Sequence, residues 1–217
     1  LKSNFNQESD LFINFILNVM TTKNLNVEYE ATFCDINVDE IREKVKNLNG
    51  KLLKPMFSQK RTVFNFPKGH EIKGGWLRVR DEADKITMTL KIMESNGFIE
   101  GQKEIELIVN SYENAVNLLK TMGAEEKAVQ ETKRELWELD GVELMIDWWP
   151  FLKPVIEIEG KNEIEVKKVA EKLGFDWNKA IFDSIDYVYS RKYNISTDRI
   201  NNNTPIIMFN MENPFVD

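Results

Sequence analysis

Polar and apolar residues alternate strictly over 27–33, where Val27, Tyr29, Ala31 and Phe33 interleave with Glu28, Glu30 and Thr32. The alternation returns over 155–159, where Glu157 and Glu159 share a face and Ile158, with Val155 and Ile156 beside it, supplies the apolar part. A strand points successive side chains to opposite faces, so each stretch predicts a strand with a carboxylate pair on one side. A two-layer protein would turn those carboxylates to water. A closed barrel would turn them into a lumen.

Between these strands the period changes. Val38, Ile41, Val45 and Leu48 fall at helical spacing, with Asn37 or Asp39 to cap the start and Gly50 to end the helix. Strands are expected over 59–66, ending at Pro67, then over 76–80, 86–91 and 102–109, with a glycine-bearing loop over 68–75. A second helix over 111–122 carries Tyr112, Ala115, Val116 and Leu119 on one stripe and stops at Gly123. Strands over 129–139 and 142–147 are joined by Asp140-Gly141, a strong two-residue hairpin signal. A third helix spans 163–173 and ends at Gly174.

No linker divides this series, so residues 26–193 read as one α+β domain: about eight antiparallel strands with flanking helices. Residues 1–25 read as an extension, with a short helix over 11–19 (LFINFILNV). The Asn-rich tail over 194–217, with Pro205 and Pro214, is assigned no fold, although Ile206, Ile207, Met208 and Phe209 could dock it.

The charges on the strands fall into groups. Arg78 shares a face with Arg80, Lys91 with Thr87 and Thr89, Glu104 with Glu106, and Asp147 with Glu143 and Met145. Arg61 lies with Gln59 and Val63, and Arg134 with Thr132 and Leu136. On any single strand, cross-strand pairing on an open, half-solvated sheet would explain this. Over the whole series, acidic on the first and last strands and basic in the middle, it predicts a closed or nearly closed barrel with the charges inside. Arginine forks match phosphate oxygens. Clustered carboxylates are costly unless a divalent cation joins them. Together they point to a polyphosphate and a metal.

Composition narrows the classes further. The 217 residues are 42% hydrophobic, enough for a substantial core. A net charge of -7 disfavours general nucleic-acid binding. The single cysteine, Cys34, excludes an internal disulfide and reads as inert packing, and a reducing, cytoplasmic setting is expected. The single histidine, His70, excludes a His-rich zinc site. No apolar run approaches the roughly 20 residues of a membrane helix. The oligomeric state is left open, a homodimer included. Trp148-Trp149-Pro150-Phe151 reads as a hydrophobic loop plug ahead of a nucleobase platform.

Taken in order, these motifs resemble those of the CYTH family, the triphosphate tunnel metalloenzymes. They are Glu28-Tyr29-Glu30-Ala31-Thr32, Leu77-Arg78-Val79-Arg80, Thr87-Met88-Thr89-Leu90-Lys91, Glu104-Ile105-Glu106, Thr132-Lys133-Arg134, Asp147 and Glu157-Ile158-Glu159-Gly160. The family groups class IV adenylyl cyclases with thiamine triphosphatases, tripolyphosphatases and RNA triphosphatases. The resemblance covers about 26–190 and implies an eight-stranded antiparallel tunnel with flanking helices. It implies Mg²⁺ or Mn²⁺ on Glu28, Glu30, Asp147, Glu157 and Glu159. It implies a small-molecule triphosphate or nucleotide gripped by Arg78, Arg80, Lys91 and Arg134, with Arg61 and Lys133 as further candidates.

Two departures bear on the reaction. Thr32 stands where the family places a lysine, and Arg61-Thr62-Val63-Phe64-Asn65 stands where it commonly reads Asp-x-Tyr-x-Asp. Family triphosphatases are thought to activate water with that lysine and tyrosine, and both are missing. A class IV-like adenylyl cyclase, which uses the 3′-hydroxyl of ATP itself, is therefore the first expectation. A triphosphatase with Glu28, Glu104 or Glu106 positioning water is the second, and a non-catalytic triphosphate binder the third. The catalytic residue is left unassigned.

Overall fold

The computed structural model describes residues 25–94 and 97–216. The helix expected over 11–19 lies outside the described residues, as does all but the last residue of the 1–25 extension.

The strands are β1 (Asn26–Val27), β2 (Tyr29–Phe33), β3 (Lys51–Asn65), β4 (Gly75–Asp81), β5 (Ile86–Met93), β6 (Gln102–Val109), β7 (Glu125–Leu139), β8 (Val142–Trp148), β9 (Val155–Gly160) and the short β10 (Ile206–Ile207). Among the described residues five α-helices flank them: α1 (Val38–Asn47), α2 (Tyr112–Thr121), α3 (Glu163–Lys172), α4 (Ile185–Tyr193) and α5 (Thr197–Asn202). The sheet order is β1-β6-β5-β4-β3-β7-β8-β9-β2, antiparallel throughout, with β10 added parallel to β7. β1 and β2 are one pass of the chain, interrupted at Glu28. That pass pairs with β6 through β1 and with β9 through β2, so a single segment supplies both ends of the sheet and curls it into the expected barrel. The barrel is nearly closed, since β1 meets β6 only at Asn26 and Val27, opposite Glu104 and Lys103.

Helices cover the apolar outer face over part of the barrel, while Ile105, Leu107 and Ile108 of β6 stay exposed. Ala31, Phe33, Leu144, Ile146, Ile156 and Ile158 pack against Ile41 and Val45 of α1 and Val166, Val169 and Ala170 of α3. Phe64 and Val79 pack under Ala115 and Leu119 of α2. Each of these helices is capped by a side chain that accepts a backbone N–H at its start: Asn37 from Glu40, Ser111 from Asn114 and Asn162 from Glu165. Asp140 and Gly141 both adopt positive φ (56° and 79°), the two-residue turn that β7 and β8 require.

Three regions extend beyond the sequence expectation, the first being β7, which begins at Glu125 rather than at 129. β3 begins at Lys51 rather than near residue 59, because Pro55 and register irregularities between Leu52 and Lys54 and between Lys54 and Phe57 break its alternation. The tail given no fold supplies α5, β10 and Phe215. Phe215 packs with Trp149, Val155, Tyr189, Ile200 and Ile207 in a separate apolar cluster. Tyr189 donates its hydroxyl to the Pro150 carbonyl at 2.6 Å, tying α4 to the loop after β8. No helix among the described residues is long and apolar enough to cross a membrane.

Candidate active site

Because the outer face takes the apolar side chains, alternation sends the charged ones inward. They line a cavity of about 740 Å³ running through the barrel. Glu28, Glu30, Arg61, Arg78, Arg80, Lys91, Arg134, Glu157 and Glu159 all contribute to its wall. Residues of the C-terminal segment, among them Asp186, Tyr189, Ile200 and Ile207, line part of it.

The carboxylates form two groups. Glu28, Glu30 and Glu159 each offer an oxygen within 4.8 Å of the others. Glu30 and Glu159 are cross-strand partners in the β2–β9 register, which fixes them side by side. Burial raises the Glu30 carboxyl well above the usual range, and Glu157 and Glu28 add to the effect. Burial and Glu28 push Glu159 up to about 7. Burial would raise Glu28 as well, but Lys91 outweighs it and holds this carboxyl low. Lys91 Nζ lies 2.7 Å from Glu28 Oε2, and Gln102 donates to the same oxygen. Three converging carboxylates, two of them strained toward protonation, are what a divalent cation would relieve, and an all-oxygen set suits Mg²⁺ or Mn²⁺.

The second group is already bridged. Arg134 donates from Nε to Asp147 Oδ1 at 2.7 Å and from Nη2 to Asp147 Oδ2 at 2.5 Å. The same Nη2 reaches Glu157 Oε2 at 2.6 Å. Burial and Asp147 nevertheless push Glu157 up to about 7, because Asp147 is close and 1% exposed. Asp147 and Glu157, expected beside the other three as metal ligands, are thus engaged by an arginine expected to hold phosphate.

The remaining cations sit on neighbouring strands. Arg80 Nη2 lies 2.8 Å from Glu82 and 3.8 Å from Glu106, and Arg78 Nη2 lies 3.9 Å from Glu106. Burial and Arg80 lower the Arg78 guanidinium to about 10. Arg61 donates to Thr132 Oγ1 at 2.7 Å and to Gln59 Oε1 at 3.2 Å, and its guanidinium lies over the Trp149 ring at 4.5 Å.

Lys133 departs from expectation. It is exposed on the outer face, 5.0 Å from the Phe209 ring, because its neighbour Arg134 points inward. Thr32 stands opposite Glu157 in the β2–β9 register, and Val63 lines the cavity, so no lysine–tyrosine pair is formed from these two positions. Trp149 closes against Arg61 and Tyr189, in keeping with a hydrophobic plug. Sequence reasoning missed Asp183, Asp186 and Tyr187 in the cavity wall, since no alternation or helical stripe marks 183–187.

Comparison with known proteins agrees with this architecture. The CYTH domain profile matches residues 26–184, and the chain belongs to the CYTH family. Members of the family are adenylyl cyclases or triphosphatases, metal-dependent and acting on triphosphate or nucleotide substrates. Among solved structures, the protein PH1012 of Pyrococcus horikoshii OT3 is similar, with a TM-score of 0.60 and 24% identity over 72% of this chain and 96% of that one. A Vibrio parahaemolyticus protein provisionally named an adenylate cyclase is similar, with a TM-score of 0.64 and 13% identity over 76% of this chain and 98% of that one. At these identities the likeness is one of fold. No curated protein matches the sequence significantly.

Proposed function

We propose that this protein is a metal-dependent class IV-like adenylyl cyclase, converting ATP to cyclic AMP and pyrophosphate inside the barrel. The observation that carries the reading is a charged cavity that pairs converging carboxylates with buried cations, in a chain that has Thr32 and Val63 at the positions of the lysine and tyrosine associated with hydrolysis in the family. Glu28, Glu30 and Glu159 would hold Mg²⁺ or Mn²⁺, with Asp147 and Glu157 adjoining. When bound, the cation would neutralise phosphate charge and join protein to substrate.

The chain's own groups account for the rest. Arg78, Arg80, Lys91 and Arg134 grip phosphate oxygens and offset the charge that builds on departing pyrophosphate. The 3′-oxygen of ATP attacks the α-phosphorus, the bond from that phosphorus to the bridging oxygen breaks, and the hydroxyl proton passes to a base.

One alternative is a triphosphatase, in which Glu104 or Glu106, both in the cavity wall, would position the attacking water. The two readings separate when ATP, thiamine triphosphate and tripolyphosphate are each incubated with protein and Mg²⁺ or Mn²⁺. Cyclic AMP with pyrophosphate supports the cyclase, orthophosphate supports the triphosphatase, and tight binding without turnover refutes both. A small-molecule triphosphate partner and a cytoplasmic setting belong to this proposal.

A further inference from the structure

Glu104 and Glu106 of β6 line the cavity, so alternation turns Ile105 and Leu107 to the outside. There they are 39% and 51% exposed, and Val27, on the neighbouring β1, is 38% exposed. To one side, α2 packs over Phe64 and Val79 and reaches β6 at Val109, its last residue. To the other, α1 and α3 cover β2, β8 and β9. Among the described residues no helix covers the strip between, and exposed apolar strips of this kind mark docking surfaces.

The strip lies over the weakest joint of the barrel. β1 and β6 share two residue pairs, whereas β5 and β6 share eight. Val27 stands on one side of that seam and Ile105 and Leu107 on the other. Just past it, the Glu28 amide donates to the Gln102 carbonyl at 2.9 Å. Whatever lay across these three side chains would bury apolar surface on both strands at once and hold the seam shut.

The chain supplies a segment suited to the place. β1 runs antiparallel to β6 with Asn26 opposite Glu104, so the chain arrives at Asn26 from the direction of Ile105 and Leu107. Residues 11–19, outside the described residues, carry no charge. At helical spacing Leu11, Phe12, Phe15, Ile16 and Val19 share one face, and Asn14 and Asn18 fall on the other. A helix of this length is about 14 Å long. The connection over 20–25 can span up to about 20 Å, and Ile105 and Leu107 are about 7 Å apart along the strand, so the segment reaches the strip without strain.

We propose that residues 11–19 form an amphipathic helix that docks on Val27, Ile105 and Leu107 and straps the β1–β6 seam of its own barrel. Hydrogen exchange on the full chain, resolved to single amides and run at two protein concentrations, tests this. In the wild type the amides of 11–19 are expected to be protected to the same degree at both concentrations. Leu107→Asp puts a charge on the strip at an exposed position. It is expected to speed exchange over 11–19 and at the Glu28 amide at least tenfold. Unprotected amides over 11–19 in the wild type overturn the proposal. So does protection that Leu107→Asp leaves unchanged, since the segment then packs elsewhere. Protection that grows with concentration also overturns it and assigns the strip to a second copy of the chain. Should Leu107→Asp lose its folded melting transition, Phe15→Asp takes its place with the same readout.

Discussion

Lys91 Nζ lies 2.7 Å from Glu28 Oε2, so a cation suited to phosphate and a carboxylate suited to a metal neutralise each other along the barrel wall. Both are shielded from water, and taking one partner away strands the other, at a cost of about 3–5 kcal/mol. Lys91→Met is therefore expected to lower the melting temperature of the metal-free protein. Mg²⁺ should then raise the melting temperature of the variant by more than it raises that of the wild type, since a competing charge has gone. Thermal melts with EDTA and with Mg²⁺ measure both effects, and an equal Mg²⁺ shift in the two proteins would count against a metal at Glu28.

Glu30 tests the same cluster from the opposite side. Its ionised form is disfavoured by burial and by Glu157 and Glu28. Glu30→Gln removes that repulsion and should stabilise the metal-free protein at pH 8. It should also weaken Mn²⁺ binding at least tenfold, measured by calorimetry. Destabilisation without metal, together with unaltered Mn²⁺ affinity, would show that Glu30 is a structural residue.

Outside the barrel, Arg42 of α1 donates to both oxygens of Glu135, at 3.1 and 2.7 Å. Burial would raise this carboxyl, but the bonds from Arg42 and Trp137 prevail and hold it below its usual value. A carboxyl lower in the folded than in the unfolded chain contributes stability above its unfolded value of about 4.3, and that contribution fades as pH falls through the folded value. Glu135→Gln should thus melt below the wild type at pH 7, with the gap narrowing toward pH 3. A gap independent of pH would mean that the ion pair is not its source.

The C-terminal segment should behave as part of the folded body. Phe215 is buried against Tyr189, Tyr193 and Phe151. Truncating such a ring typically costs about 3–5 kcal/mol. Phe215→Ala should shift the urea midpoint accordingly, whereas a change under about 0.5 kcal/mol would mean that the segment is only loosely attached.

Alternation made the shared faces legible: Glu28 with Glu30, Arg78 with Arg80 and Glu157 with Glu159 all follow from a period of two. The same rule shows why Lys133 and Arg134 cannot both enter the lumen, a conflict left open when both were named as candidates. The first half of β3 was hidden by Pro55 and its bulges. The ring-on-ring packing that docks 194–216 depends on distant partners such as Trp149 and Phe151, which no local period encodes. Pairing within the site was also illegible, since only the closed barrel brings Arg134 between Asp147 and Glu157.

The most direct measurement is a phosphorus NMR time course of ATP with the protein and Mn²⁺-free Mg²⁺ buffer. The expected spectrum shows the cyclic AMP resonance growing with an equimolar amount of pyrophosphate, and no orthophosphate. Growth of ADP or AMP with orthophosphate, or an ATP spectrum unaltered after prolonged incubation, would contradict cyclisation in this barrel.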